Sequence, residues 1–145
     1  MCFTTDIHER FKVADKDIVC YKIMCQSFPG SEYYDTPFMR KRVRIGETIK
    51  GNFANYSLNE ANFRLDNKGI TTTDLPLLWL EDEVVHAFKI MNSAQIYAKR
   101  LHDHLQLNHL RTLITEWTIP KGALYMDNYA NEIVATEMKF NKVIK

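Results

Sequence analysis

The chain carries the stretch Leu113-Ile-Thr-Glu-Trp-Thr-Ile-Pro-Lys-Gly-Ala-Leu-Tyr-Met126, which decides its fold class. Apolar and polar residues alternate up to Pro120-Lys121-Gly122, and a second short apolar run follows. Proline presets the backbone angle of a turn and glycine tolerates its tight exit, so this pattern is typical of strand, turn and strand. The stretch therefore predicts β-structure and specifies no reaction.

The composition is that of an ordinary water-soluble domain. Of the 145 residues, 46% are apolar and 26% are charged, and the net charge is +1. A near-zero net charge argues against binding of extended nucleic acid, which favours a basic domain. The longest apolar runs, at 75–80 and 84–88, are far too short to span a bilayer, so we expect no membrane partner.

The cysteines and the N-terminus bear on localisation. Three cysteines, an odd number, lie at positions 2, 20 and 25, which favours reduced thiols over a disulfide framework. The first residues show no basic segment followed by an apolar stretch, so we expect no signal peptide. These features predict a cytoplasmic protein.

The periodicity of apolar residues predicts one main helix and several strands. Ala94, Tyr97, Ala98 and Leu101 recur at helical spacing after a capping residue, which indicates a helix over about 93–108. β-prone runs predict strands at 17–25, 83–89 and 112–118. We expect a single α+β domain over residues 1–145, with an irregular lead-in at 1–16 and the helix packed on a mostly antiparallel sheet.

A basic cluster with neighbouring aromatic residues is the first candidate binding site. Arg40, Arg42 and Arg44 follow Tyr34 and Phe38. Guanidinium groups bind phosphate and aromatic rings stack on bases, so the cluster suits a small phosphorylated ligand. In a strand Arg42 and Arg44 point to the same side and can converge on one phosphate. The alternative is a solvated edge strand that its charges protect from aggregation.

His86 is the second candidate ligand contact. It lies in the apolar run 84–88, within a predicted strand. Most such histidines have ring nitrogens that are satisfied by backbone groups. The alternative is that His86 stacks on or hydrogen-bonds a small planar molecule.

The sequence contains no recognisable catalytic or metal-binding motif. Phosphate-loop, dinucleotide-binding, GxSxG and HExxH patterns are all absent. His102 and His104 lie two apart in the predicted helix, where their side chains diverge by about 200°, so they cannot share a metal ion. Cys2 would be a nucleophile only if it began a strand, and the stretch after it is mostly polar. We therefore expect no catalytic residues, no metal and no cofactor.

Four segments together resemble a known group of proteins. They are Val19-Cys20-Tyr21-Lys22, the run Ile-Gly-Glu-Thr-Ile-Lys-Gly at 45–51, His86-Ala87-Phe88 before the helix, and Trp-Thr-Ile-Pro-Lys-Gly-Ala-Leu-Tyr at 117–125. Over roughly residues 17–144 the chain resembles a family of small proteins of gut bacteria and their phages that has no established activity. The resemblance implies a fold and a setting, and small phage proteins of this size often bind host components or host signalling molecules.

These observations favour a non-enzymatic protein that binds a small ligand. Its concrete form is a phage or mobile-element anti-defence protein that sequesters a nucleotide-derived signal, with ligand enclosure between subunits of a homo-oligomer as one arrangement. The first alternative is an interaction module that inhibits a host enzyme through a sheet edge or the helix at 93–108. The second is an enzyme: an N-terminal-cysteine hydrolase, or a transferase of the ADP-ribosyl type that uses Glu116 or Glu132.

Overall fold

The described part of the chain forms one antiparallel sheet with two α-helices on it. The computed structural model describes residues 10–26, 28–36, 41–66, 84–105, 111–128 and 130–144. In chain order the elements are β1 (Lys12–Val13), β2 (Ile18–Gln26), β3 (Tyr34–Asp35), β4 (Arg42–Val43), β5 (Thr48–Lys50), a 3₁₀-helix (Asn52–Asn55), α1 (Leu58–Asp66), β6 (Val85–Phe88), α2 (Met91–Leu105), β7 (Arg111–Ile119), β8 (Leu124–Asp127), β9 (Glu132–Ala135) and β10 (Glu137–Val143).

The sheet has the strand order β1-β8-β9-β6-β2-β7-β10-β5, and β3 and β4 form a side branch on β2. Every strand pair in the described segments is antiparallel. The predicted strands at 17–25, 83–89 and 112–118 correspond to β2, β6 and β7, which are neighbours in the sheet. The expected α+β fold with mostly antiparallel pairing is confirmed.

A bend at Thr136 curls the sheet. Only this residue separates β9 from β10, yet β9 pairs with β6 whereas β10 pairs with β7. Since β2 lies between β6 and β7, the continuous segment β9–β10 pairs with both outer edges of the three-stranded unit β6-β2-β7. The inner face is consequently enclosed and carries the main core, which includes Cys20, Met24, Trp117, Ile119, Ile133, Met138 and Phe140.

The outer face of the sheet is covered by the two helices. Helix α1 buries Ala61 and Leu65 against Leu124, Met126 and Val134. Its first turn is capped because the Ser57 hydroxyl accepts a hydrogen bond from the Glu60 backbone N–H at 3.2 Å. Helix α2 buries Ala94 and Leu101 against Ile23, Phe88 and Ile114. In the described segments, no helix is long and apolar enough to cross a membrane.

The predicted single main helix is not confirmed, because α1 accompanies α2. Helix α2 begins at Met91, two residues before the predicted start, and residues 106–108 of the predicted 93–108 range lie outside the described residues. The predicted irregular lead-in at 1–16 contains the short strand β1, and its first nine residues are likewise outside the description. The proposal of a single domain over residues 1–145 stays a prediction.

The turn at Pro120-Lys121-Gly122 forms as predicted, but its two strands do not pair with each other. The Ala123 N–H donates to the Pro120 carbonyl at 3.1 Å, and Gly122 has φ = 93°, which favours glycine. Strand β7 pairs with β2 and β10, whereas β8 pairs with β1 and β9. The turn therefore carries the chain from one side of the curled sheet to the other.

Candidate functional site

One edge of the central strand β2 is divided between two partners. Its other edge pairs with β7 along the whole strand, from Ile18 to Gln26. On the divided edge, β6 pairs at Tyr21 and β3 pairs at Cys25. Among the described residues no strand pairs with β2 between these two positions. Lys22 lies at this gap, which we call the sheet split.

The Lys22 side chain fills the sheet split from the enclosed face. Its ammonium donates a hydrogen bond to the backbone carbonyl oxygen of His86, and Nζ lies 5.9 Å from the centroid of the Trp117 ring. The Thr115 hydroxyl donates to the Lys22 carbonyl oxygen and accepts from Trp117 Nε1, both at 2.8 Å. These bonds fix the lysine backbone and the indole relative to each other.

Burial makes the charge of Lys22 costly. Burial, opposed in part by Cys20 and reinforced by the positive charge of Lys41, lowers the pKa of the ammonium to about 8. Among the described ion pairs none involves Lys22. The result is an amine that is still mostly protonated at pH 7 but has a far larger neutral fraction than an ordinary lysine.

His86 lies in the middle of β6, paired with Val134 of β9. Both ring nitrogens are buried, and neither has a hydrogen-bond partner among the described residues. Burial, together with the positive charge of Lys22, lowers the pKa of the imidazole to about 3. The usual explanation for a strand histidine, satisfaction by backbone groups, does not hold for the described part of the chain. A ligand contact by His86 stays a prediction.

Arg42 and Arg44 converge on one aromatic ring. Both guanidinium carbons lie 5.7 Å from the centroid of Tyr33, within the range of cation–π contact. Val43 between them is buried, with 6% of its surface exposed. The alternation predicted for this segment is therefore present, and it places both arginines on one exposed face, which we call the arginine face.

Each of these arginines also has a carboxylate partner. Arg42 Nε lies 3.2 Å from Asp35 Oδ1, and Arg44 Nε lies 3.1 Å from Glu47 Oε1. The hydrogen bond to Glu47 raises the pKa of Arg44, so its charge is permanent. Because both contacts use Nε, the terminal amino groups of the two side chains are engaged by no described residue. Those groups can form paired hydrogen bonds to an anion.

Tyr34 is not on the arginine face. It is the cross-strand partner of Val43, so its side chain points to the opposite, inner side of the sheet. There its ring packs edge-on against Phe140, with centroids 5.3 Å apart. The structure therefore assigns the stacking position to Tyr33. Phe38 and Arg40, the other two predicted contacts, lie outside the described residues.

Lys22 was missing from the residues selected by sequence. The available signal was that it is the only charged residue in the apolar run 18–25. Tyr33 directly precedes Tyr34 in the sequence, but the face on which it lies depends on the pairing of β3 with β4. Neither the enclosed position of Lys22 nor the face on which Tyr33 lies can be read from local periodicity.

The described residues offer little support for metal or acid–base chemistry. No group of three potential metal ligands occurs among them. Burial raises the pKa of the Cys20 thiol to about 12, which keeps it protonated. Glu116 and Glu132 accept hydrogen bonds from Asn141 and Asn128 at 3.1 and 2.9 Å. Cys2 and the side chains of His102 and His104 lie outside the described part.

Comparison of the chain with protein-family models, with curated proteins and with solved structures finds no match. The resemblance to small proteins of gut bacteria and their phages therefore stays a prediction, and function has to be argued from the geometry.

Proposed function

We propose that the protein is a non-enzymatic binding protein for a small phosphorylated ligand. The observation that carries the proposal is the convergence of Arg42 and Arg44 on the exposed ring of Tyr33. Two arginines whose terminal amino groups are engaged by no described residue can supply charge-assisted hydrogen bonds to a phosphate. The exposed tyrosine supplies a surface on which a base can stack.

A nucleotide-derived signal is the ligand class that fits this arrangement. Such a molecule combines an aromatic base with one or more phosphates, and the arginine face combines an aromatic ring with two cations. An anti-defence protein of a phage or mobile element, acting in the cytoplasm by sequestering such a signal, is the biological form of the proposal. Enclosure of the ligand by a second copy of the chain is compatible with the exposed position of the face.

The first test asks whether a nucleotide accompanies the protein. The native protein is incubated with lysate of a bacterial host, repurified and denatured, and the released small molecules are analysed by mass spectrometry. The proposal predicts a phosphorylated, ultraviolet-absorbing compound in amounts comparable to the protein. The matched control is the Arg42→Gln/Arg44→Gln double variant treated in the same way, which should release much less of it.

A second candidate function is an interaction module that inhibits a host enzyme. It is favoured by apolar residues that point to solvent on and beside α2, Ile96 with 49% and Ile90 with 43% of their surface exposed. An Ile96→Asp variant that keeps nucleotide binding but loses retention of a host protein would favour this candidate. Absence of any released nucleotide would favour it as well.

A further inference from the structure

Lys22 differs from the other lysines whose contacts the structure describes. Lys12, Lys50 and Lys89 each lie within 3.9 Å of a carboxylate oxygen. Lys22 instead shares the enclosed face with Cys20 and Met24, which are fully buried on either side of it along β2. Its own side chain is only partly exposed. Lys22 is thus partly exposed as a residue, whereas its neighbours on the same face are apolar and buried.

The groups around the amine favour its neutral, nucleophilic form. Trp117 and Met24 provide little solvation for an ammonium ion. Burial is the main cause of the lowered pKa, Cys20 opposes it only in part, and the positive charge of Lys41 adds to it. In neutral Lys22 one N–H is held by the His86 carbonyl oxygen, so the lone pair on Nζ points away from that oxygen. An amine held in this way attacks carbonyl carbons readily.

We propose that Lys22 is a covalent binding site for a small aldehyde, which it takes up as a reversible imine at the sheet split. The Nζ lone pair attacks the aldehyde carbon and forms a C–N bond. The carbonyl oxygen then leaves as water with the two amine hydrogens, and a C=N bond remains. Hydrolysis reverses the step, so no oxidant or reductant is consumed. The partial enclosure limits the aldehyde to a small molecule.

This site is independent of the arginine face, because it uses a different strand and an uncharged reactant. An uncharged aldehyde needs no cation for binding. The Arg42→Gln/Arg44→Gln variant should therefore leave the reaction of Lys22 unchanged, and the two proposals can fail separately.

The test measures the reactivity of each lysine in the native protein. Wild type is incubated at pH 7 with propionaldehyde and sodium cyanoborohydride, which traps imines as stable amines, and each lysine is followed by peptide mass spectrometry. With a pKa of about 8, roughly a tenth of Lys22 is neutral at this pH, against well under a thousandth of an ordinary lysine. Allowing for restricted access, we expect Lys22 to react at least about ten-fold faster than Lys12 and Lys50.

Two controls make the result specific. In urea, where the sheet is unfolded, the advantage of Lys22 should disappear. In the Lys22→Arg variant, the rates at Lys12 and Lys50 should match those of wild type. If Lys22 in the folded protein reacts no faster than Lys12 and Lys50, or keeps its advantage in urea, the proposal is wrong. Because the ordering is measured within wild type, it does not depend on any variant folding.

Discussion

The ammonium of Lys22 donates a hydrogen bond to the backbone carbonyl oxygen of His86 across the sheet split between β2 and β6. This contact brings together two titratable residues whose charged forms are both disfavoured by burial. Each therefore links folding to pH, in a range that its own pKa sets.

The stability cost of Lys22 should vanish at high pH. The unfolded lysine binds its proton up to about pH 10.5 and the folded one only up to about pH 8, so the free energy of unfolding rises with pH between these values. A Lys22→Met variant lacks this dependence. We expect the stability of Lys22→Met relative to wild type to fall by up to about 3 kcal/mol between pH 7 and pH 10.5. Urea unfolding at a series of pH values measures it, with Lys50→Met as the exposed control; a constant difference would contradict the prediction.

His86 should destabilise the fold in mild acid. Its pKa is about 3 when folded and about 6.5 when unfolded, so the unfolded state binds more protons between these values and stability falls as pH falls through 6.5. The loss attributable to this residue from pH 7 to pH 5 should be about 2 kcal/mol. A His86→Phe variant should lose that part of the slope. Equal slopes for wild type and variant in urea unfolding would show that His86 is not buried in its neutral form.

The inward face of α2 should be intolerant of charge. Leu101 is 6% exposed and packs with Ile23, Phe88 and Ile114, so Leu101→Asp would bury an unpaired carboxylate. We expect a loss of about 3 kcal/mol or more in the free energy of unfolding. Ile96→Asp on the same helix is the matched control, because Ile96 is 49% exposed. If the two variants unfold at the same urea concentration, the assignment of the helix face is wrong.

We expect Tyr34 to contribute to the stability of the fold and Tyr33 to contribute to nucleotide binding. Tyr34→Ala removes a ring that packs against Phe140 and should cost about 2 kcal/mol or more of stability. Tyr33→Ala removes an exposed ring and should change stability by less than about 0.5 kcal/mol. Only Tyr33→Ala should weaken nucleotide binding without weakening the fold. Thermal unfolding together with titration of each variant decides between the two roles, and a reversed pattern would refute the assignment of Tyr33 to the arginine face.

Local pattern was sufficient to predict where the strands and turns lie. Strands β2 and β7 agree with their predicted ranges to within one residue at each end, because each is an uninterrupted β-prone run. The turn at Pro120–Gly122 was predicted from the two residue types that define it. Pairing was not predictable, because it depends on contacts far apart in the chain. The run Arg42–Lys50, with Gly46 at its centre, has the pattern of a hairpin, but β4 pairs with β3 and β5 pairs with β10.

In the candidate site, too, the features set by local pattern were predictable and those set by strand pairing were not. That Arg42 and Arg44 share a face follows from the period of a strand and was predicted correctly. Which tyrosine accompanies them depends on the register Tyr34↔Val43, which the sequence does not specify. Whether a lone lysine in an apolar strand is solvated depends on what covers the strand edge. Lys22 could be recognised only once β3 and β6 were seen to divide that edge.

The most direct test of the proposed function is calorimetric titration of the protein with cyclic dinucleotides and with ADP-ribose. Wild type should bind at least one of them, and Arg42→Gln/Arg44→Gln should bind it about 100-fold more weakly or worse, since each charged hydrogen bond contributes roughly 1.5–3 kcal/mol. The thermal stability of the variant should barely change, because both ion pairs are exposed. Arg10→Gln/Lys12→Gln, at and beside β1, is the control with the same change in charge and should bind as wild type does. Equal affinity of wild type and the Arg42/Arg44 variant, or no binding by wild type, would contradict the account.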